Sequence, residues 1–386
     1  MKDKIIILHV FDDEKFFDAT SRFFDTLNNV SNRYYFYTPN KNYTFQRIKS
    51  IEKITIFNDY NKYRNQFSSN EVDIIYFHSL YPNKYKLFNH ISDDKIVIWW
   101  CFGAEIYYGY KGLKPLIDLN LYKPLTSKVI KEEEKHLSYK KKLKEFFKQI
   151  LSFHFVKEQN KVLNRIDYFS PVLPIEYELM KSNPNFHAKP FMLNSGPGLY
   201  TPKPLPTNRK AHNILIGNSL TYTNNHLDIF DILNHIQITP NRNYIIPISY
   251  GLDFSKNKEF LKSSLQTKQV IWLEDFIPFK EYISYLDSIT HAVFGQIRQQ
   301  AIGNINFCFE RGIKIYLYSD SIIYKQLNKW GYIIYTIEND LTSDSLNEVL
   351  DEKFAKHNYE LFCRTIKDRV KTANTELINI MNTNQC

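Results

Sequence analysis

Short runs of apolar residues recur along the chain with no alternation between faces: 4–10, 34–37, 53–57, 72–77 and 95–101, then 212–216, 244–248, 269–273, 291–294 and 314–318. A strand apolar on both faces is one covered by helices on both sides, so these runs predict buried parallel strands. The stretches between them change period. Phe16, Phe17, Phe23, Phe24 and Leu27 share one face of a helix over about 15–29, and helices are expected near 224–235, 256–265 and 304–310. Strand and helix in alternation predict an α/β protein with doubly wound parallel sheets.

The alternation breaks at GPGLYTPKPLPTNRK, residues 196–210, which is rich in Pro and Gly and reads as a linker. It divides the chain into a first domain over 1–200, a linker over 201–210 and a second domain over 211–352. Residues 353–386 read as helices that pack back on the first domain. Within the first domain, 131–165 departs from the pattern. Lys140, Lys141, Lys142 and Lys144 run into Phe146 and Phe147, an amphipathic helix with a basic face of the kind that rests on anionic lipid. A solvated helix packed on its own domain fits the same pattern.

Composition narrows the class. With 386 residues, 43% of them hydrophobic and 24% charged, the chain reads as a soluble globular protein large enough for two cores. Cys101, Cys308, Cys363 and Cys386 have neither disulfide-like nor metal-like spacing, which points to a reducing compartment. The N-terminal apolar run is too short for a signal peptide and reads as a strand, and nothing approaches the roughly 18 apolar residues of a membrane span. A cytoplasmic location is expected. The formal net charge of +9 favours anionic partners. No nucleic-acid-binding signature accompanies it, so nucleic acid is not expected.

Candidate chemistry collects where such sheets bind ligands, just past the strand ends. In the first domain these positions hold His9 with Asp12 and Asp13, then His78, then Gly103 with Glu105 inside WWCFGAEIYYGY. A lone strand-end histidine is as a rule structural; three polar strand ends in one half offer a general base. In the second domain, Gly217, Asn218 and Ser219 follow a strand and precede a helix capped at Thr223 or Asn224. Arg298, Gln299, Gln300 and Gly303 likewise stand between a strand and a helix, whose unpaired N–H groups suit a phosphate. Tyr250, with Gly251, follows the strand between them. Plain capped turns use the same residue types.

These segments carry a resemblance. ILIGNSLTYTNNH, IRQQAIGNINFCFERGI and WWCFGAEIY, with the opening HVF, the following RFF and the YFH at 76–78, are similar in order to the 4-alpha-L-fucosyltransferase-like family of bacterial dTDP-4-acetamido-4,6-dideoxygalactose (dTDP-Fuc4NAc) transferases. The resemblance implies the GT-B fold, two Rossmann-like domains facing a cleft. It also implies transfer of Fuc4NAc or a related deoxysugar from a dTDP-sugar to a polyprenyl-diphosphate-linked glycan at the inner face of the cytoplasmic membrane. The donor is then expected on Gly217, Asn218, Ser219, Asn224, Tyr250, Arg298, Gln299, Gln300 and Gly303, and the acceptor on Glu105, His78 and His9. Arg298 with backbone amides would neutralise the leaving diphosphate without a metal, so no cofactor is expected. Three departures stand out. The family's aspartate after Gly-Ala is Glu105, the basic segment is longer, and Phe307 occupies the position where many GT-B enzymes hold a ribose-binding glutamate. Two other classes use the same features: a nucleotide-sugar epimerase on this scaffold, and a non-catalytic partner of a polysaccharide assembly complex.

Overall fold

The computed structural model describes residues 4–110, 113–135, 155–193, 201–206, 212–239, 242–251, 258–367 and 369–383. Lys140, Lys141, Lys142, Lys144, Phe146 and Phe147 lie outside the described residues. The chain divides into two compact units, one comprising 1–118, 139–201 and 365–386, the other 119–138 and 202–364.

In the first unit, β1 (Ile5–Phe11), β2 (Val30–Tyr37), β3 (Ile54–Phe57), β4 (Ile74–His78), β5 (Ile96–Trp100), β6 (Tyr168–Ser170) and β7 (Lys189–Pro190) form one sheet. Its order is β3-β2-β1-β4-β5-β6-β7, and every pairing is parallel. All residues of β4 and β5 are buried, as runs without alternation require. Ala373, Leu377 and Ile380 of the helix Arg369–Thr383 pack against Ile7, Ile74 and Ile96. The helix Arg369–Thr383 thus packs on the first sheet.

The second unit repeats the topology with β8 (Asn213–Ile216), β9 (Tyr244–Pro247), β10 (Val270–Leu273), β11 (Ile289–Phe294), β12 (Lys314–Leu317) and β13 (Tyr335–Thr336). The order is β10-β9-β8-β11-β12-β13, again all parallel. In both sheets the order reverses beside the first strand, between β1 and β4 and between β8 and β11. Loops leaving those strand pairs diverge and open a crevice, the place where such sheets bind ligands.

Residues 119–138 were expected with the first domain and belong to the second unit. The reason is a set of side-chain hooks. The Asp228 carboxylate accepts from the Leu125 and Thr126 amides at 2.8 and 3.0 Å and from Thr126 Oγ1 at 2.7 Å, which caps the helix Pro124–Lys135 from outside. Val129 and Ile130 then pack on the core around Ile214, Ile246 and Phe230. The helix after Gly217 also starts later than expected, at His226, after a 3₁₀ turn over Tyr222–Asn224. Neither Thr223 nor Asn224 caps it. The N-cap residue is Asn225, in the left-handed conformation, and its side chain donates instead to the Leu121 and Gly295 carbonyls at 3.1 and 2.8 Å.

Candidate functional sites in the two units

The crevice of the second unit is built from two loops. Gly217 leaves β8 with φ +64°, and a Cβ there would lie 2.7 Å from Asn224 Oδ1 and from His226 Nε2. Only glycine lets this backbone lie down on the residues beneath it. Asn224, fully buried, shapes the loop from below: its Oδ1 accepts from the Asn218 amide at 3.0 Å, and its Nδ2 donates to Ser219 Oγ and Thr221 Oγ1, both at 2.9 Å. The Asn218 side chain bridges the two loops. Its Oδ1 accepts from Gln300 Nε2 at 2.9 Å and Gln296 Nε2 at 3.1 Å, and its Nδ2 donates to Tyr250 Oη at 2.7 Å. Gln300 Oε1 in turn accepts from Thr223 Oγ1 at 2.8 Å.

Gly217, Asn218, Ser219, Asn224, Tyr250 and Gln300 are therefore brought into one hydrogen-bonded group. Asn224 and Ser219 are fully buried and position it, whereas Asn218, Gln300 and Tyr250 reach solvent. Arg298 donates to the Gln299 carbonyl at 2.7 Å, and its charge acts against the burial that raises the Tyr250 phenol. Gly303 stands in the first turn of the helix Ile302–Arg311, where a Cβ would meet nothing within 4 Å. That helix has no side-chain cap and no acidic residue in its first turn. Its N–H groups and the Arg298 guanidinium make the region electropositive.

Sequence reasoning passed over several participants. Gln296 is fully buried, and its Oε1, like Gln299 Oε1 and both ring nitrogens of His226, has no hydrogen-bond partner. Each such group costs about 1–3 kcal/mol unless something polar meets it. Gln296 stands immediately before the IRQQAIGNINFCFERGI segment and was legible as a polar residue at a buried strand end. Asn304 Nδ2 donates to Tyr282 Oη at 2.9 Å, tying the Ile302–Arg311 helix to its neighbour Phe279–Asp287. Nothing in the sequence linked those two. Phe276 and Phe279, among the most exposed large apolar side chains, stand past β10 on the same edge of the sheet. Glu310 lies fully buried beside Arg311 and accepts from the Lys203 amide at 2.5 Å, a staple between segments.

The first unit fills its crevice with its own side chains. Asn32 Nδ2 donates to Asp25 Oδ1 at 3.2 Å, which turns Asn32 Oδ1 toward His9 Nε2, 2.9 Å away. His9 therefore donates from Nε2 and accepts at Nδ1, where His78 Nε2 donates across 2.9 Å. Burial lowers the His9 pKa to about 4 and that of His78 well below its ordinary value, so both rings are neutral. With both nitrogens engaged and no exposure, His9 is a structural relay and not the acceptor-side base expected of it. His78 keeps a bare Nδ1, but it is sealed against Phe11, with ring centroids 3.8 Å apart.

Glu105 is placed differently. After β5, Gly103 turns the chain at φ +103° and the short helix Ala104–Tyr107 follows. Glu105 Oε1 accepts from the Phe102 amide at 2.9 Å, while Oε2 is buried without a partner. Burial raises its pKa, opposed by the backbone hydrogen bonds of Glu105 and Phe102 and by the nearby Lys84 charge. Glu105 lines a solvent-open pocket with Tyr81, Tyr85, Tyr108, Tyr110 and Lys114. Tyrosine faces around one carboxyl suit a polyhydroxylated ring, which offers apolar C–H faces and hydroxyl donors. Among the described residues, no group of three or more His, Cys, Asp or Glu is arranged to hold a metal ion.

Two doubly wound parallel sheets of this order define the GT-B fold of glycosyltransferases, and solved structures agree. The lipopolysaccharide outer core galactosyltransferase WaaB, apo form, superposes with a TM-score of 0.56 at 13% identity, over 97% of this chain and 99% of that one. A glycosyltransferase from Rickettsia africae gives 0.55 at 11%, over 99% and 98%. An E. coli trehalose-6-phosphate protein bound with UDP-2-fluoro glucose gives 0.56 at 10%, over 99% of each chain. No curated protein sequence matches the chain. Residues 191–365 match the family described as 4-alpha-L-fucosyltransferase glycosyl transferase group 56. The chain is a glycosyltransferase, and the resemblance to this family holds over the stretch that carries the Asn218–Gln300 crevice.

Proposed function

We propose that the protein transfers Fuc4NAc or a related deoxysugar from a dTDP-sugar to a glycan carried on polyprenyl diphosphate, in bacterial surface polysaccharide synthesis. The observation that carries this reading is the second-unit crevice: a neutral hydrogen-bonded cradle with one guanidinium and an uncapped helix N-terminus, inside the family match. A nucleoside diphosphate fits it. The uncapped N–H groups and Arg298 take the diphosphate and stabilise it as it leaves, without a metal. Open space at Gly303 lets a phosphate approach the backbone, and Phe276 and Phe279 offer stacking faces for the base. That an E. coli neighbour of this fold binds a UDP-sugar is consistent with this.

On the acceptor side, the carboxyl of Glu105, which lines the tyrosine-walled pocket of the first unit, takes the acceptor hydroxyl proton. Its raised pKa suits a base, provided the pH keeps it ionised. The basic segment from Lys140 to Lys144, with Phe146 and Phe147, holds the enzyme on the anionic inner membrane face, where its lipid-linked acceptor lies. No helix among the described residues is long and apolar enough to cross a membrane.

The deciding experiment is a thermal-shift panel of dTDP, UDP, GDP and CMP with their sugar conjugates, run on the wild type and Arg298→Ala. Selective stabilisation by dTDP or dTDP-Fuc4NAc is expected, and the variant should need roughly 10–100-fold more ligand, as for loss of a charge-assisted contact. Selectivity for another nucleotide would keep the transferase and change the donor. No response to any of them would remove the nucleotide reading of the crevice.

A further inference from the structure

Lys84 has no part in the chemistry above, yet it is the most completely buried cation of the first unit, with no side-chain exposure. Its three N–H groups meet four acceptors: Asp12 Oδ1 at 2.7 Å, the Ser79 carbonyl at 2.8 Å, Ser79 Oγ at 2.9 Å and the His78 carbonyl at 3.0 Å. Ser79 is held in the left-handed conformation at φ +66° and donates to Asp12 Oδ1 at 2.8 Å. Lys84 thus ties the exits of β1 and β4 together and fixes the turn that continues into Tyr81, Pro82 and Tyr85, one wall of the pocket.

A buried ammonium is expensive, and a turn can be held by neutral groups. What a neutral group does not supply is charge. We propose that Lys84 is a positioning residue for the acceptor-side carboxyl: it holds the tyrosine wall of the pocket in place and supplies a buried positive charge on that side of the site. The reading rests on Glu105 as the base. The charged and titratable groups around it are Lys84, Lys114, Tyr81, Tyr85, Tyr108 and Tyr110 at the pocket and the Cys101 thiol, with Asp12 and Asp13 beside Lys84, Glu176 near Cys101 and Glu158 near Tyr85. Lys84 and Glu105 each favour the other's charged form, while burial opposes both. Without the ammonium, burial acts on Glu105 with less to offset it.

The test compares Asp12→Asn with the double variant Asp12→Asn, Lys84→Met by the pH dependence of transfer. Asp12→Asn leaves Lys84 three acceptors for three N–H groups, and the double variant removes the Asp12 carboxylate together with the ammonium it pairs, so both keep a route to the native fold. The acid limb of the rate profile is expected to move up by roughly one pH unit in the double variant relative to Asp12→Asn, with the rate largely recovered at high pH. A merely structural Lys84 would lower the rate at every pH and leave the midpoint in place, which would overturn the proposal. Should the double variant fail to fold, Asp12→Asn alone decides: removing a carboxylate beside the Lys84–Glu105 pair moves the midpoint down, and an unmoved midpoint counts against the electrostatic link. Glu105→Gln separates the two levels of the argument. If Glu105→Gln stays active the base assignment falls; if it is inactive and the midpoints coincide, only the Lys84 proposal falls.

Discussion

The two sheets share one strand order and use its crevice in opposite ways. In the second unit, the loops leaving β8 and β11 each carry one glycine, Gly217 and Gly295, and no charged side chain but Arg298. Gly217 lies on Asn224 and His226, and the Asn218 and Gln300 side chains bond to each other above it, in the same unit as Arg298 and the uncapped N-terminus of the helix Ile302–Arg311. In the first unit, the loops leaving β1 and β4 are packed shut by His9, His78, Asp12, Ser79 and Lys84. The open pocket moves one strand over, to the exits of β4 and β5, where Glu105 stands. A shared topology therefore marks where a site can form, while loop composition decides whether the crevice stays open.

The largest effect that would test this contrast is on catalysis alone. Glu105→Gln is expected to lower turnover by about 10²–10⁴-fold, as for loss of a general base, while nucleotide-induced stabilisation stays at the wild-type value. Turnover and thermal shift measured on the same preparation check it. Equal losses in both would mean that the two units do not divide the work in this way.

A second test asks whether the shut crevice is structural. His9 titrates at about 4 in the folded protein against 6.5 ordinarily, so between those values the unfolded chain binds more protons. Stability from this group is present above pH 6.5 and declines as pH falls toward 4, by up to about 3 kcal/mol. His9→Gln, whose amide can both donate to Asn32 and accept from His78, should flatten that part of the pH–stability curve in urea unfolding. Unchanged acid sensitivity would show that the imidazole pair is not what limits the first unit.

The smallest expected effect separates two glycines of the open crevice. Gly217→Val forces a side chain onto Asn224 and His226 at a positive φ and should cost about 2 kcal/mol or more. Gly303→Val points into open space, should change stability by no more than about 0.5 kcal/mol, and should nevertheless abolish stabilisation by nucleotide. Unfolding curves with and without nucleotide read both. If the Gly303 variant still binds, the helix N-terminus is not where the diphosphate sits.

Period in the sequence placed ten strands but not the short β6, β7 and β13, because a doubly covered strand has to be apolar on both faces whereas two or three residues leave no run to read. Gly217, Asn218, Gln300 and Gly303 stood out as polar and glycine residues between a buried strand and a helix, a pattern that a plain capped turn shares. Side-chain partnerships across the chain were not legible. Whether His9 is a base or a relay depends on Asn32 and Asp25, residues on or near another strand. Whether 119–138 joins the first or second unit depends on Asp228, over a hundred positions away. Lys84 gave no signal at all, since a lysine reads as exposed until its acceptors are known. Local pattern set the backbone, and the fold decided which polar atoms were left unpaired, because hydrogen-bond satisfaction and burial are properties of positions in space and not of neighbours along the chain.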